Sequence, residues 1–374
     1  MRDLRLEGGS CGCCRRDFLG AMGVTAGGIA LRYADVVAAE PSAGTAAEKR
    51  PATVRVAFLY PPSDTLRVPG GWWSWPGNDF DAERRHREFS KRLNEIEAQL
   101  SMRILVDDAP LASQQDVARF TTEVKQSKPD GLLLIPFHNP SFRLLDQILK
   151  EVAPTPGADG ESPEAGIPTI VFSSLGVKHG PIKGYQRPGV YFIQTLDDLE
   201  SIGTAMRMIN GMQLIRQSRI ISVAGGGDAA EATIPGLGAK VRRLPMDRFT
   251  REVRQTEVTK AVEKLADAFI AGAKEVLEPA RPETVTAAKV HFACKWILEA
   301  EQGDAIMIDC LRRGEFMPCM SFMMLRDEGI AAGCENDLSA TLTLMLVQHL
   351  FGRPGFQVNP CYDTERNHFF ASHC

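Results

Sequence analysis

From residue 54 onward the chain alternates short apolar runs with longer stretches of helical period, and that alternation restricts it to one broad architecture. The β-type runs are Val54–Tyr60, Arg103–Asp107, Gly131–Phe137 and Thr169–Ser174, with Tyr191–Gln194 as a fifth. Between them Phe89, Leu93, Ile96 and Leu100 share one helix face. Val117, Phe120 and Val124 share a second face, and Leu144, Leu145, Ile148 and Leu149 a third. Strands that alternate with helices build parallel sheets covered on both faces, because each crossover carries a helix back over the sheet. The segment Pro154–Gly166, rich in Gly, Pro and Glu, reads as a surface loop. A helix over Leu199–Gln217 closes this first series. A second follows, with strands at Arg219–Ala224, Lys240–Leu244 and Ala305–Asp309. Its helices are near Glu257–Leu277, Val285–Ala300, Cys319–Leu325 and Ala340–Phe351. The expected fold is therefore α/β, with two doubly wound Rossmann-like domains over residues 52–217 and 218–358, preceded by a linker at 40–51.

The N-terminus carries a different signal. Arg15 and Arg16 precede Asp17-Phe18-Leu19-Gly20, an uncharged stretch runs from Phe18 to Leu31, and Val37-Ala38-Ala39 offers small residues for cleavage. The stretch is too short for a membrane span, which needs about 20 apolar residues. Residues 1–39 resemble a twin-arginine export signal, with the arginine pair as the address read by the export machinery. The resemblance implies an exported, periplasmic protein with no stable membrane span after cleavage. Lys and Arg number 43 against 47 Asp and Glu, for a net charge of −4 and a pI near 6.0. That balance provides no basic field for a nucleic-acid backbone. Of nine cysteines, three lie in the signal, and the other six show no CxxC pair and no zinc spacing. Disulfides and buried thiols both stand as readings.

Several places could carry chemistry. Gly225-Gly226-Gly227-Asp228 follows a strand, but neither dinucleotide nor P-loop spacing is present, and the next strand begins too soon for a phosphate-binding helix. A plain turn is the simpler reading. Trp72 and Trp73, with Trp75, follow the first strand, where ligands bind in open parallel sheets. Their flat faces suit sugars and equally suit an interface. His138 ends the third strand at the same edge, as a ligand contact or a loop cap. His349 sits in an apolar helical run, as a core or interface histidine does. No nucleophile elbow occurs. Glu335 follows a short apolar run just before a helix, where a carboxylate either caps the helix or serves a hard divalent ion.

From about Val54 onward the chain resembles the L-fucose/L-arabinose isomerase-like proteins. The resemblance is carried most specifically by MPCMSFMMLRDEGIAAGCENDLSATLTLMLVQHLFGRPGF, residues 317–356, together with the order of strands and helices. It implies Glu335 as ligand of a catalytic Mn²⁺ and as a proton-transfer base. It also implies a second ligand 24 residues on, where this chain has Asn359 in place of the family's Asp. The family's third ligand, a His, lies in a C-terminal domain, and residues 359–374 read as the start of such a domain. The expected function is a carbohydrate-active, isomerase-like protein that interconverts aldose and ketose through an enediol. The expected substrate contacts are Trp72, Trp73 and His138. A non-catalytic periplasmic sugar-binding protein is the alternative, and an inactive fragment held together as a homo-oligomer is a third reading.

Overall fold

The computed structural model describes residues 49–73, 79–153, 166–178, 180–313 and 315–373. Arg15, Arg16, Trp75 and most of the 154–166 loop lie outside the described residues.

The first domain runs β1 (Thr53–Leu59), α1 (Ala82–Leu100), β2 (Arg103–Val106), α2 (Gln114–Ser127), β3 (Gly131–Pro136), α3 (Phe142–Val152), β4 (Thr169–Ser174), β5 (Val190–Thr195) and α4 (Glu200–Arg216). Its five strands are all parallel in the order β2-β1-β3-β4-β5, with Val54 level with Ile104 on one side and Gly131 on the other. The helices begin where the sequence supplies caps. Asp81 accepts from the Arg84 amide, and Ser113 and Asp116 form a reciprocal capping box. β3 is buried along its whole length, as expected of a central parallel strand. The sheet's two faces carry separate cores. Phe58, Phe89, Leu93, Phe137 and Phe172 pack under α1 and α4, while Leu59, Val117, Phe120, Leu134 and Leu145 pack under α2 and α3.

The second domain continues with β6 (Arg219–Val223), β7 (Ala230–Thr233), β8 (Lys240–Leu244), α5 (Met246–Gln255), α6 (Lys260–Gly272), α7 (Arg281–Ala300), β9 (Ala305–Ile308), the one-turn α8 (Cys310–Arg313), α9 (Cys319–Asp327), β10 (Ala331–Gly333) and α10 (Leu338–Phe351). Its sheet has the order β10-β9-β6-β8-β7, parallel except for β7, which runs antiparallel along β8. The expected α/β fold of two doubly wound domains is thus the observed one. A hairpin, β11 (Asn359–Asp363) with β12 (His368–Ser372), follows α10 and is exposed along nearly all of its length.

The two domains meet at the amino ends of their strands. Lys49, just before β1, bonds Ser218 and pairs with Asp304 at 2.8 Å, residues that directly precede β6 and β9. Arg50 and Gln217 exchange two hydrogen bonds, and Arg50 forks onto Asp130 at the start of β3. α4 packs on α10, where a Cβ on Gly211 would lie 3.2 Å from His349. All of these side-chain contacts stand at strand beginnings, so the seam between the domains gathers at the amino edges of both sheets.

Candidate functional site

In open α/β sheets the crevice lies outside the carboxyl ends, where the strand order reverses. In the first sheet that point is between β1 and β3, and it is filled from within. Tyr60 and Phe137 stand at the two strand ends with ring centroids 5.5 Å apart, and Trp73 folds back over them. The Trp73 ring contacts Phe80 at 5.4 Å and His138 at 5.5 Å and has no exposed surface. His138 is buried beside it, and its ring hydrogen-bonds the backbone of Trp72 and so pins the tryptophan loop to the sheet edge. Burial holds the His138 pKa below the ordinary histidine value. His86, bonded to the Tyr60 hydroxyl at 3.0 Å, is depressed for the same reason. Burial raises Tyr60 to about 12. Of the three expected substrate contacts here, only Trp72, 47% exposed, presents a ring to solvent. Trp73 is a core residue, because a large aromatic plug removes more apolar area from water than an open platform would.

The second sheet reverses order between β6 and β9. The glycine loop leaves β6, with positive φ at Gly225 and Gly227, and leads into β7. The loop itself continues into a strand and not into a helix, while the N-terminus of α5 stands beside it, the Met246 amide bonding the Gly225 carbonyl at 2.9 Å. Asp309 follows β9, its amide bonded to the Val223 carbonyl. Glu335 follows β10. Because Gly333 pairs with Met307, Asp309 and Glu335 each stand two residues beyond paired positions of adjacent strands. Sequence reasoning missed Asp309, although an acidic residue at the end of an apolar run is the same signal that singled out Glu335.

Glu335 and Asn336 are consecutive left-handed residues, at φ 59° and 54°. For Glu this costs about 1 kcal/mol or more, so the surroundings must impose it. The Asp337 amide bonds the Cys334 carbonyl, and the Cys334 amide bonds Gln357 Oε1 at 2.9 Å. Ser222 donates to Asn336 Oδ1 at 2.9 Å, and Asp337 caps α10. Arg326 donates twice to the Ala332 carbonyl and once to Gln357. Thr341 packs so closely on Gly333 that a Cβ there would lie 1.9 Å from its hydroxyl. The Glu335 side chain is half-buried and has no hydrogen-bond or ion-pair partner among the described residues.

Asn359 opens β11 two residues after Gln357. Since two residues span at most about 7 Å, it lies in the neighbourhood of the Glu335 turn. The pair supplies one carboxylate and one amide. Among the described residues no group of three His, Cys, Asp or Glu side chains is placed to hold a metal ion. The two-carboxylate, one-histidine manganese site implied by the resemblance therefore does not fit this donor set. Cys294 and Cys310 are buried thiols, with the Cys294 pKa raised to about 12 by burial. A Ser–His–acid arrangement also exists: His291 Nδ1 lies 3.3 Å from Ser321 and Nε2 3.5 Å from Glu328. Both Ser321 and His291 are fully buried, so this set joins α7 to α9 and offers no nucleophile to a substrate.

No family model and no curated protein matches the chain. Among solved structures it is similar to a sugar ABC transporter from Yersinia enterocolitica subsp. enterocolitica 8081, at 15% identity over 86% of this chain and 82% of that one, with a TM-score of 0.19. A likeness at that score carries no argument about function. No helix among the described residues is long and apolar enough to cross a membrane.

Proposed function

We propose that the protein binds a small polyhydroxylated molecule, a sugar, at the carboxyl edge of its second sheet, after export through the twin-arginine route. The observation that carries this reading is Glu335, a half-buried carboxylate with no partner among the described residues, on a turn held in left-handed geometry. Packing that imposes such a conformation on a glutamate marks a functional position more often than a neutral one. A carboxylate there accepts hydrogen bonds from vicinal hydroxyls, and charge-assisted bonds of this kind are the stronger ones. Asp309 adds a second acceptor at the neighbouring strand end, and Gly226 and Gly227 in the nearby loop have free space around them. The motif around Glu335, which resembles that of the L-fucose/L-arabinose isomerase-like proteins, supports a sugar over other polyols.

A second reading is favoured by the Asp309–Glu335 pair. Aldose–ketose interconversion moves a proton between adjacent carbons, and two positioned carboxylates can remove and return it. Calorimetry with a panel of aldoses and ketoses, followed by NMR of the bound sugars in D₂O, separates the two. Binding that Glu335→Gln weakens by about tenfold or more, without deuterium uptake, establishes the binder. Glu335-dependent uptake at the sugar carbon establishes the isomerase, and a panel without any binding sinks both. In the same cells, Arg15→Lys with Arg16→Lys is expected to hold the protein in the cytoplasm. Undiminished periplasmic accumulation would remove export from the reading.

A further inference from the structure

The described residues also form an apolar cavity of ≈ 260 Å³ far from Glu335, at the amino edge of the first sheet. It lies between the edge strand β5 and α4. Ile170 and Ile209 form its floor, Tyr191, Met208 and Met212 its exposed walls, and Gln213 and Arg216 its polar end. Asp130 also reaches that end, but Arg50 already neutralises it through a two-pronged contact of 2.8 Å on each side. Arg216 has no ion pair among the described residues. It stands in the last turn of α4, where the carbonyl end of the helix stabilises a cation. An anion beside it meets a full positive charge against about half a negative one from the helix end, so attraction wins.

We propose that this cavity binds an amphiphilic carboxylate, a medium-chain fatty acid in chemical class, with its chain between β5 and α4 and its head on Arg216. Charge complementarity selects that occupant. The walls are almost wholly apolar, and one cation without an ion pair marks one end. The two methionines, one helical turn apart, are flexible enough to adjust to an aliphatic chain. A neutral sugar would leave its hydroxyls unpaired against such walls, so this site is separate from the one at Glu335. The polar end adjoins the domain seam, because Gln213 and Asp130 flank Arg50, which bonds Gln217.

The test is calorimetric titration of the full chain with decanoate, dodecanoate and dodecanol. Carboxylate affinity is expected to rise about fourfold per added methylene until the cavity is full. Arg216→Gln should weaken dodecanoate by about tenfold and leave dodecanol unchanged, since only the head contact is lost. Met212→Asp, at an exposed position that tolerates substitution, should abolish binding of both while the melting temperature holds. Two results would overturn the proposal. One is no saturable dodecanoate binding, or equal affinity in wild type and Arg216→Gln. The other is a wild-type dimer in sedimentation that Met212→Asp dissociates, which would make the groove a contact between copies.

Discussion

At the scale of single residues, Trp72 and Trp73 show how neighbours in sequence take opposite roles. One ring is sealed against Tyr60, Phe80 and His138, and the next lies half in water. Trp73→Ala is expected to cost about 3–5 kcal/mol in urea unfolding, the range for deleting a buried aromatic. Trp72→Ala should stay within about 0.5 kcal/mol, as surface changes do. If the sugar reading extends to the first domain, Trp72 is the exposed tryptophan ring there among the described residues, and a ligand-induced fluorescence change should shrink in Trp72→Ala. The buried Trp73 indole N–H has no hydrogen-bond partner among the described residues, a cost that the packing of its ring outweighs.

At the scale of elements, the β10–α10 turn opposes local preference to global packing. Glycine adopts φ near +60° without penalty, so Glu335→Gly should raise stability by about 1 kcal/mol in chemical denaturation while removing ligand binding. A destabilised Glu335→Gly would mean that the carboxylate serves the fold. The same tension explains which elements were legible in the sequence. β1, β3 and β4 declare themselves through apolar runs, Val56–Leu59, Leu132–Ile135 and Ile170–Phe172, that parallel strands covered on both faces require. α1 to α3 do so through their apolar faces. β7 was invisible: Ala230–Thr233 is exposed along its length and exists through pairing with β8 and the Glu231 bridges to Arg219 and Lys240. β10 has three small residues and no pattern to read. α5 was passed over because Met246, Phe249 and Val253 make too thin a stripe among charges. The helix expected over Glu257–Leu277 ends at Gly272, since the chain beyond it buries nothing that would sustain another turn. For the site, Glu335 was legible as an acid between a short apolar run and a helix. The left-handed turn that presents it was not, because Arg326, Gln357 and Ser222 come from distant parts of the chain.

Across the whole molecule, three histidines share one electrostatic condition. His86 and His138 in the first domain and His349 near the domain seam are all held below the ordinary histidine pKa, chiefly by burial. Their unfolded forms bind protons first, starting near about pH 6.5. Stability is therefore full above that pH and falls as acid protonates the unfolded chain ahead of the folded one. Melting temperature should drop between about pH 7 and pH 5, and His86→Phe with His138→Gln should flatten that drop. An unchanged slope in the double variant would assign the acid sensitivity to other groups.

The seam that joins the strand beginnings has a consequence for how occupancy can be sensed. A jaw works by bringing two reading edges together over what it holds, and here the contacts between the domains gather at the other, amino edges. The link from the Glu335 edge to the first domain runs through strand beginnings, by Lys49–Asp304 and the α4–α10 contact.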